Sequence, residues 1–566
     1  MARKLSIAER YIRDVLAGRI VTSQLVRLQI ERHQRDLVEG PARGLRFDRD
    51  AAQHVIDFFP EFLQHVEGRL DGQTFVLEPF QQAKLWILYG WRWADTGFRR
   101  FKFAYNEIAR GNCKSTEASG LCVYELLGFG EPGAHVYSAS TDKETARIVF
   151  ETAVLMVQRS PYLREQVTCF TDNMHIPGTS AKFLPVASGA ELLLGLRPSF
   201  ICFDELHESP NAKLWEVFES AMGKRDSPLL FACTNSGYDR HSICWRKREY
   251  SVKVLTGVFQ DDTWFAWICG LDRKDDGLVD KDDDWEDEKN WIKASPGLGV
   301  MVKIKELREA AAKAKNDPAS LNSFLRFRMS VWTASDVAWM PLRAWDACGL
   351  IPYDLARLKG RSCTCALDLS TTTDIAAFDM LFPPIEDDPY WYLVPEFFLP
   401  AESIEDRVKR DRVPYDVWAK DGLFNLTANG RIIDYKAIRE KIRESAELYD
   451  IKEIVYDRWN SNSIVTDLES DGFTMIKWGQ GFNDMHAPVK RMMEIVLEGR
   501  WAHGRHPVMR WMALNVVAFM DPAGNVKFDK SRSKEKIDGM VAAAMALGRA
   551  MQVPERQYTR PRVRVC

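Results

Sequence analysis

Two sets of residues in this chain have the types and spacing to handle phosphate chemistry. The first is Asn106-Glu107-Ile108-Ala109-Arg110-Gly111-Asn112-Cys113-Lys114-Ser115-Thr116, which follows an apolar run ending at Tyr105 and precedes a helical pattern from Glu117. A strand, a tight loop, Lys-Ser and a helix make a Walker A arrangement. Backbone N–H groups and the helix N-terminus cradle phosphates, Lys114 neutralises the β/γ charge, and the Ser115 hydroxyl ligates Mg²⁺. Ile108 and Cys113 stand where the GxxxxGK[ST] pattern has glycine. A side chain at the second position is penalised wherever the loop needs a left-handed backbone. Some ninety residues on, Phe200-Ile201-Cys202-Phe203-Asp204-Glu205 is an apolar strand ending in two acids, the Walker B arrangement. Asp204 is expected to support Mg²⁺ and Glu205 to position the attacking water. Another apolar run ends in Thr234-Asn235-Ser236, where Thr234 either senses the γ-phosphate or makes a turn. Gln81 either reads an adenine edge or caps a helix. Arg110 and Arg147 are candidate stabilisers of transition-state charge, each with a surface ion pair as the alternative; Arg197 and Arg225 are weaker candidates.

The second set is carboxylates. Asp368 lies inside the apolar run Ala366-Leu367-Asp368-Leu369, Asp457 ends Ile454-Val455-Tyr456-Asp457, and Asp538 opens a long Ala-rich helix. An acid in an apolar strand is costly unless paired or bound to a metal. Three acids from two strands and a helix suit a two-metal phosphodiesterase site holding Mg²⁺ or Mn²⁺. Asp538 alone could serve the helix dipole. Their order, with antiparallel hairpins between, resembles the RNase H-like fold. Asp374 is a further ligand or a turn acid. Lys530, Lys534 and Lys536 are a phosphate contact near the cut or a solvated loop.

These residues need elements to position them. Residues 1–65 read as helical, with Val21, Leu25 and Leu28 at helical spacing. From 66 to 260, runs at Phe101–Tyr105, His135–Ser138, Phe200–Phe203 and Leu229–Cys233 alternate with helical stretches, which predicts an α/β domain with a mostly parallel sheet. Residues 261–345, with the acidic stretch Asp275–Glu288 and a charged helix at Ile304–Asn316, form a linker or lid subdomain in this reading. From 346 to 566 a second unit follows, with strands at Cys363–Leu369, Ala376–Phe382, Trp391–Phe398, Ile451–Tyr456 and Thr474–Lys477, and a helix at Ile537–Met551.

The composition suits a folded chain of several units: 566 residues, 46% hydrophobic and 28% charged. The formal net charge of -3 gives no overall attraction to nucleic acid. A basic channel can still lie within a neutral total, because phosphate binding depends on where charges sit. Eleven cysteines without a CxxC pair point to reduced thiols. No signal peptide and no apolar run of membrane-spanning length is present.

Taken together, the two sets resemble the large terminase subunit of tailed bacteriophages over about Leu77 to Met551. The resemblance is carried by Gln81, the Arg110–Ser115 loop, Asp204-Glu205, Thr234, Ala366–Ser370, Tyr456–Asn460 and Lys536–Gly539. Trp291–Gly299 and Pro488–Asn515 also look like family segments. It implies an additional-strand P-loop ATPase followed by an RNase H-like nuclease. The expected activity is ATP-driven movement of double-stranded DNA into a procapsid, with cleavage of concatemeric DNA. It also implies a homo-oligomeric ring, commonly a pentamer, docked on the portal protein in the host bacterial cytoplasm, and a small terminase subunit as partner. The rival readings are a repair helicase-nuclease, for which no second RecA-like half is seen, and a portal-binding scaffold with decayed motifs.

Overall fold

The computed structural model describes residues 5–552 apart from 188–194, 317, 334–338, 370–374, 412, 428–429, 458–461, 522–523, 531–532 and 534–535. Asp374, Lys534 and the basic tail Arg556–Cys566 lie outside the described residues. The chain forms two compact units, Met1–Thr333 and Ala334–Cys566. Among the described residues no helix is long and apolar enough to cross a membrane.

In the first unit, helices α1 (Ile7–Leu16), α2 (Gln24–Glu39) and α3 (Arg49–Phe62) lead into α4 (Pro79–Gly90). They share one apolar core with the sheet: Ile12, Val26, Phe59 and Trp86 pack in the same cluster as Val136, Phe231 and Phe265. Buried charge reinforces this, since Arg100 donates to Asp36 of α2 at 2.7 Å. The N-terminal helices therefore belong to the body of the first unit.

The strands are β1 (Phe103–Glu107), β2 (His135–Ser140), β3 (Lys182–Ala187), β4 (Phe200–Asp204), β5 (Leu229–Thr234) and β6 (Trp264–Ile268). They run parallel in the order β6-β1-β5-β4-β2-β3, and two short antiparallel strands complete an eight-stranded sheet. Near-continuous apolar runs suit strands covered on both faces; every residue of β4, β5 and β6 is buried. Helices α5 (Lys114–Val123) and α6 (Lys143–Arg159) follow β1 and β2. One strand, β5, is inserted between the strand leading into the Walker A loop and the strand ending in Asp204. The sequence boundary at 260 misses β6, which pairs with β1 over Trp264↔Phe103 to Ile268↔Glu107. The acidic stretch that follows hides its membership in the sheet. Helices α7 (Ile304–Asn316) and α8 (Pro318–Met329) complete the unit around a small core of Trp291, Leu307 and Phe324.

The second unit holds β7 (Ser362–Asp368), β8 (Ala376–Phe382), β9 (Trp391–Pro400), β10 (Asp450–Asp457) and β11 (Met475–Trp478). The order is β9-β8-β7-β10-β11, extended by short strands at Asn425–Thr427 and Trp501–Ala502. The three strands β7, β8 and β9 are antiparallel, while β10 and β11 run parallel to β7. Helix α9 (Phe482–Leu497) and the Ala-rich α10 (Asp538–Ala550) lie in the apolar core of one sheet face with Ala366, Ala377 and Phe397. Nearly all of α10 is buried, as expected of a helix apolar on every side. Small residues set its approach: a Cβ on Gly539 would lie 2.8 Å from the Phe397 ring.

Candidate functional site

The first cluster forms where β1, β4 and β5 end, at the carboxyl edge of the parallel sheet, where ligands of such sheets bind. Cys113 takes the left-handed conformation (φ 56°) and opens α5, so the loop has the shape for which glycine is usual. Lys114 Nζ lies 2.9 Å from Glu205 Oε1 and 2.8 Å from Asn235 Oδ1. Ser115 Oγ donates to Asp204 Oδ2 at 2.9 Å. Burial, then the Glu205 charge, pushes the Asp204 carboxyl up to about 6, against Lys114 and Ser115. The Walker A and Walker B segments thus meet side chain to side chain.

The loop is also held from outside. Arg110 N donates to Phe327 O at 2.8 Å, and Gly297 N donates to Asn112 Oδ1 at 3.1 Å. Gly111 faces this contact with φ 93°; a Cβ there would sit 3.2 Å from Val302. Thr116 falls in the first turn of α5.

The other expected residues are placed as follows. Thr234 is fully buried; its Oγ1 accepts from His207 N at 3.0 Å and donates to Asn235 O at 2.9 Å. Its neighbour Asn235 is the residue that faces Lys114 and Glu205. Gln81 is 0% exposed and serves as a helix cap: its carbonyl accepts from Glu78 N, and its amide donates to Glu117 at 2.9 Å. Arg110 stacks on the Phe327 ring, 3.7 Å from its centroid. Arg147 projects from α6 and pairs with Glu151 and Asp172. Arg225 donates to backbone carbonyls of Arg197, Pro132 and Gly133. Sequence reasoning missed His207, which lies 3.1 Å from Glu205 Oε2 and 3.0 Å from Glu208 Oε1. The one available signal was its place in Asp204-Glu205-Leu206-His207-Glu208.

The second cluster lies at the ends of β7 and β10 and the start of α10. The register Leu367↔Tyr456 sets Asp368 and Asp457 at neighbouring strand ends. Asp368 is 2% exposed, and burial raises its pKa, helped by the Asp457 charge and opposed by Lys530 and Gln480. Lys530 Nζ bridges Asp368 Oδ2 at 2.5 Å and Asp538 Oδ1 at 3.1 Å. Burial pushes Asp538 up to about 6 against the pull of Lys530. Among the described residues no ready-made set of three metal ligands is found. Instead the Lys530 ammonium stands as the cation between two acids, and Asp538 Oδ2 is buried with no hydrogen-bond partner among the described residues. Carboxylate oxygens with one unfilled acceptor and a cation already drawn in are a donor set that fits a hard divalent ion. Lys536 is half-buried just before α10.

Family models match both halves of the chain. The model of the terminase large subunit ATPase domain matches residues 79–253, and that of the terminase large subunit endonuclease domain matches residues 259–553. The chain belongs to the terminase large subunit family. As a terminase large subunit it is a DNA-packaging ATPase and endonuclease, using ATP and acting on DNA. Terminase, large subunit, of Enterobacteria phage HK97 is 29% identical over 505 residues, covering 88% of this chain and 95% of that protein. Protein YmfN of Escherichia coli K12 is 29% identical over 367 residues, 63% of this chain and 78% of that one. The crystal structure of the HK97 large terminase is 26% identical, covers 88% of this chain and 99% of its own, and gives a TM-score of 0.43.

Proposed function

We propose that this terminase large subunit hydrolyses ATP at the Lys114–Glu205 cluster to drive double-stranded DNA into a procapsid, and cuts concatemeric DNA at the Asp368–Asp538 cluster. The observation that carries the reading is the meeting of Lys114, Ser115, Asp204 and Glu205 at one sheet edge. In this reading the backbone of Gly111, Asn112 and Cys113 cradles phosphates, and Lys114 leaves Glu205 to neutralise the β/γ charge. Ser115 and Asp204 would hold Mg²⁺, with Thr116 beside them. Glu205 orients the attacking water. Arg110 in cis, or Arg147 offered to a neighbouring subunit, offsets developing charge; both are now engaged in contacts they would have to leave.

In the second unit Asp368, Asp457 and Asp538 would hold Mg²⁺, with Mn²⁺ able to replace it. Ions bound there supply an activated water and stabilise the leaving oxygen. Lys530 keeps the acids paired until then, and is afterwards placed to meet a phosphate. Contacts to DNA are mainly to phosphate, so isolated cutting shows little base preference.

The domain limits proposed are a helical segment over 1–65, the ATPase over 66–260 extended to Ile268 to take in β6, a lid over the rest of 261–345 and the nuclease over 346–566. The resemblance to tailed-phage terminases supports a homo-oligomeric ring, commonly five subunits. It also supports docking on the portal protein of a procapsid in the host cytoplasm, with a small terminase subunit as partner. Two variants test the assignment of roles. Glu205→Gln should bind ATP but lose turnover by about 10²–10⁴-fold, while still cutting DNA. Asp457→Asn should lose cutting and keep ATP turnover. A single variant that removed both activities, or neither, would overturn it.

A further inference from the structure

We propose that His207 is a positioning residue for ATP hydrolysis, fixing one carboxylate oxygen of Glu205 so that the other is free to face water. This rests on the reading of Glu205 given above. The two oxygens of Glu205 have separate partners. Oε1 is paired with Lys114 at 2.9 Å, and Oε2 accepts from Asn235 Nδ2 at 3.1 Å and lies 3.1 Å from His207 Nδ1. When nucleotide phosphates draw the Lys114 ammonium away, Oε1 alone is released. Oε2 stays held from two sides.

Proton accounting assigns the donor on His207. The Thr234 hydroxyl lies 3.2 Å from His207 Nδ1, but its single proton goes to Asn235 O at 2.9 Å. Thr234 is therefore an acceptor towards the ring: Nδ1 carries the hydrogen, Thr234 Oγ1 is its hydrogen-bond partner, and Glu205 Oε2 lies beside it at 3.1 Å, within reach of the same N–H. The ring cannot drift, because its side chain is 1% exposed and its backbone N–H is also tied to Thr234 Oγ1. Its far nitrogen, Nε2, lies 3.0 Å from Glu208 Oε1. Glu205 needs this support. It sits at φ 52°, a left-handed conformation that is costly for a non-glycine residue, and its carboxylate is fixed by the side chains of Lys114, Asn235 and His207.

Two substitutions separate the two ring nitrogens. His207→Asn keeps a donor at the position of Nδ1; His207→Gln keeps one at the position of Nε2. Steady-state ATPase assays on the full chain, with binding of a fluorescent ATP analogue and thermal melting, should show Asn near the wild-type kcat. Gln should lose about ten- to a hundredfold in kcat, with KM and analogue binding unchanged. A Gln variant as active as Asn, or a loss that appears in binding alone, overturns the inference. If the Asn variant does not fold, the double variant Glu205→Gln/His207→Gln decides. No loss beyond Glu205→Gln alone supports action through Glu205, and a further loss of full size overturns it. Normal turnover by Glu205→Gln alone would instead sink the reading on which the inference rests.

Discussion

Lys530 reaches Asp368 across 162 residues of sequence, its Nζ 2.5 Å from Oδ2, and the same ammonium touches Asp538 at 3.1 Å. Burial works against the Lys530 charge, but the two carboxylates outweigh it and hold the ammonium above the ordinary lysine range. The cation is thus built in before any metal arrives. Lys530→Met should leave Asp368 and Asp538 facing each other in a buried place and lower the melting temperature in chelator. Added Mg²⁺ or Mn²⁺ should then raise it by more than in the wild type. Equal shifts in the two proteins would show that Lys530 does not stand in for a cation.

Cys113 is a cysteine in a left-handed conformation, at φ 56°. Cys113→Gly removes that strain and loosens the unfolded chain, two effects of about 1 kcal/mol that partly cancel. Stability should change little, and ATP turnover should be kept or raised. A collapse of turnover would mean that the thiol itself contributes to the site.

Gly237 follows the Thr234–Ser236 strand end and leaves room for the Trp332 ring, which an added Cβ would approach to 2.9 Å. Trp332 is fixed in turn by donating to Glu107 Oε2 at 3.1 Å, and Ser236 Oγ donates to Arg326 O and Val331 O. Gly237→Ala should therefore cost about 1–3 kcal/mol by chemical denaturation, the usual range for overpacking. A loss well below that range would show that Trp332 yields freely.

Asp379 is fully buried in β8, and among the described residues neither carboxylate oxygen has a hydrogen-bond partner. Burial, then the charges of Asp368 and Glu396, raises its pKa well above the ordinary value of 3.8. The folded chain therefore holds this proton more tightly than the unfolded chain does. Its contribution is present in full below the unfolded value and declines as pH rises, by up to about 1.4 kcal/mol per unit. Asp379→Asn should be closest to the wild type near pH 4 and increasingly more stable than it towards pH 8. Parallel melting curves across that range would contradict the sign.

Much of this protein was legible because phosphate chemistry is written locally. Asp204-Glu205 closes an apolar strand, Lys114-Ser115 opens a helix, and Asp368 interrupts an apolar run. Each is visible within about ten residues, because a strand end or helix start is a property of consecutive residues. Periodicity likewise located Ile304–Asn316 and Ala376–Phe382 at their observed limits. Tertiary structure decided what long-range packing decides. It inserted β5 between β1 and β4, so that Asn235 rather than Thr234 faces Lys114. It turned Gln81 inward onto Glu117, placed β6 in the ATPase sheet, and brought Lys530 to Asp368 and Asp538. No local pattern encodes those contacts, because the cost of burying a charge is met only by a partner from elsewhere in the chain, and that partner is chosen by the fold.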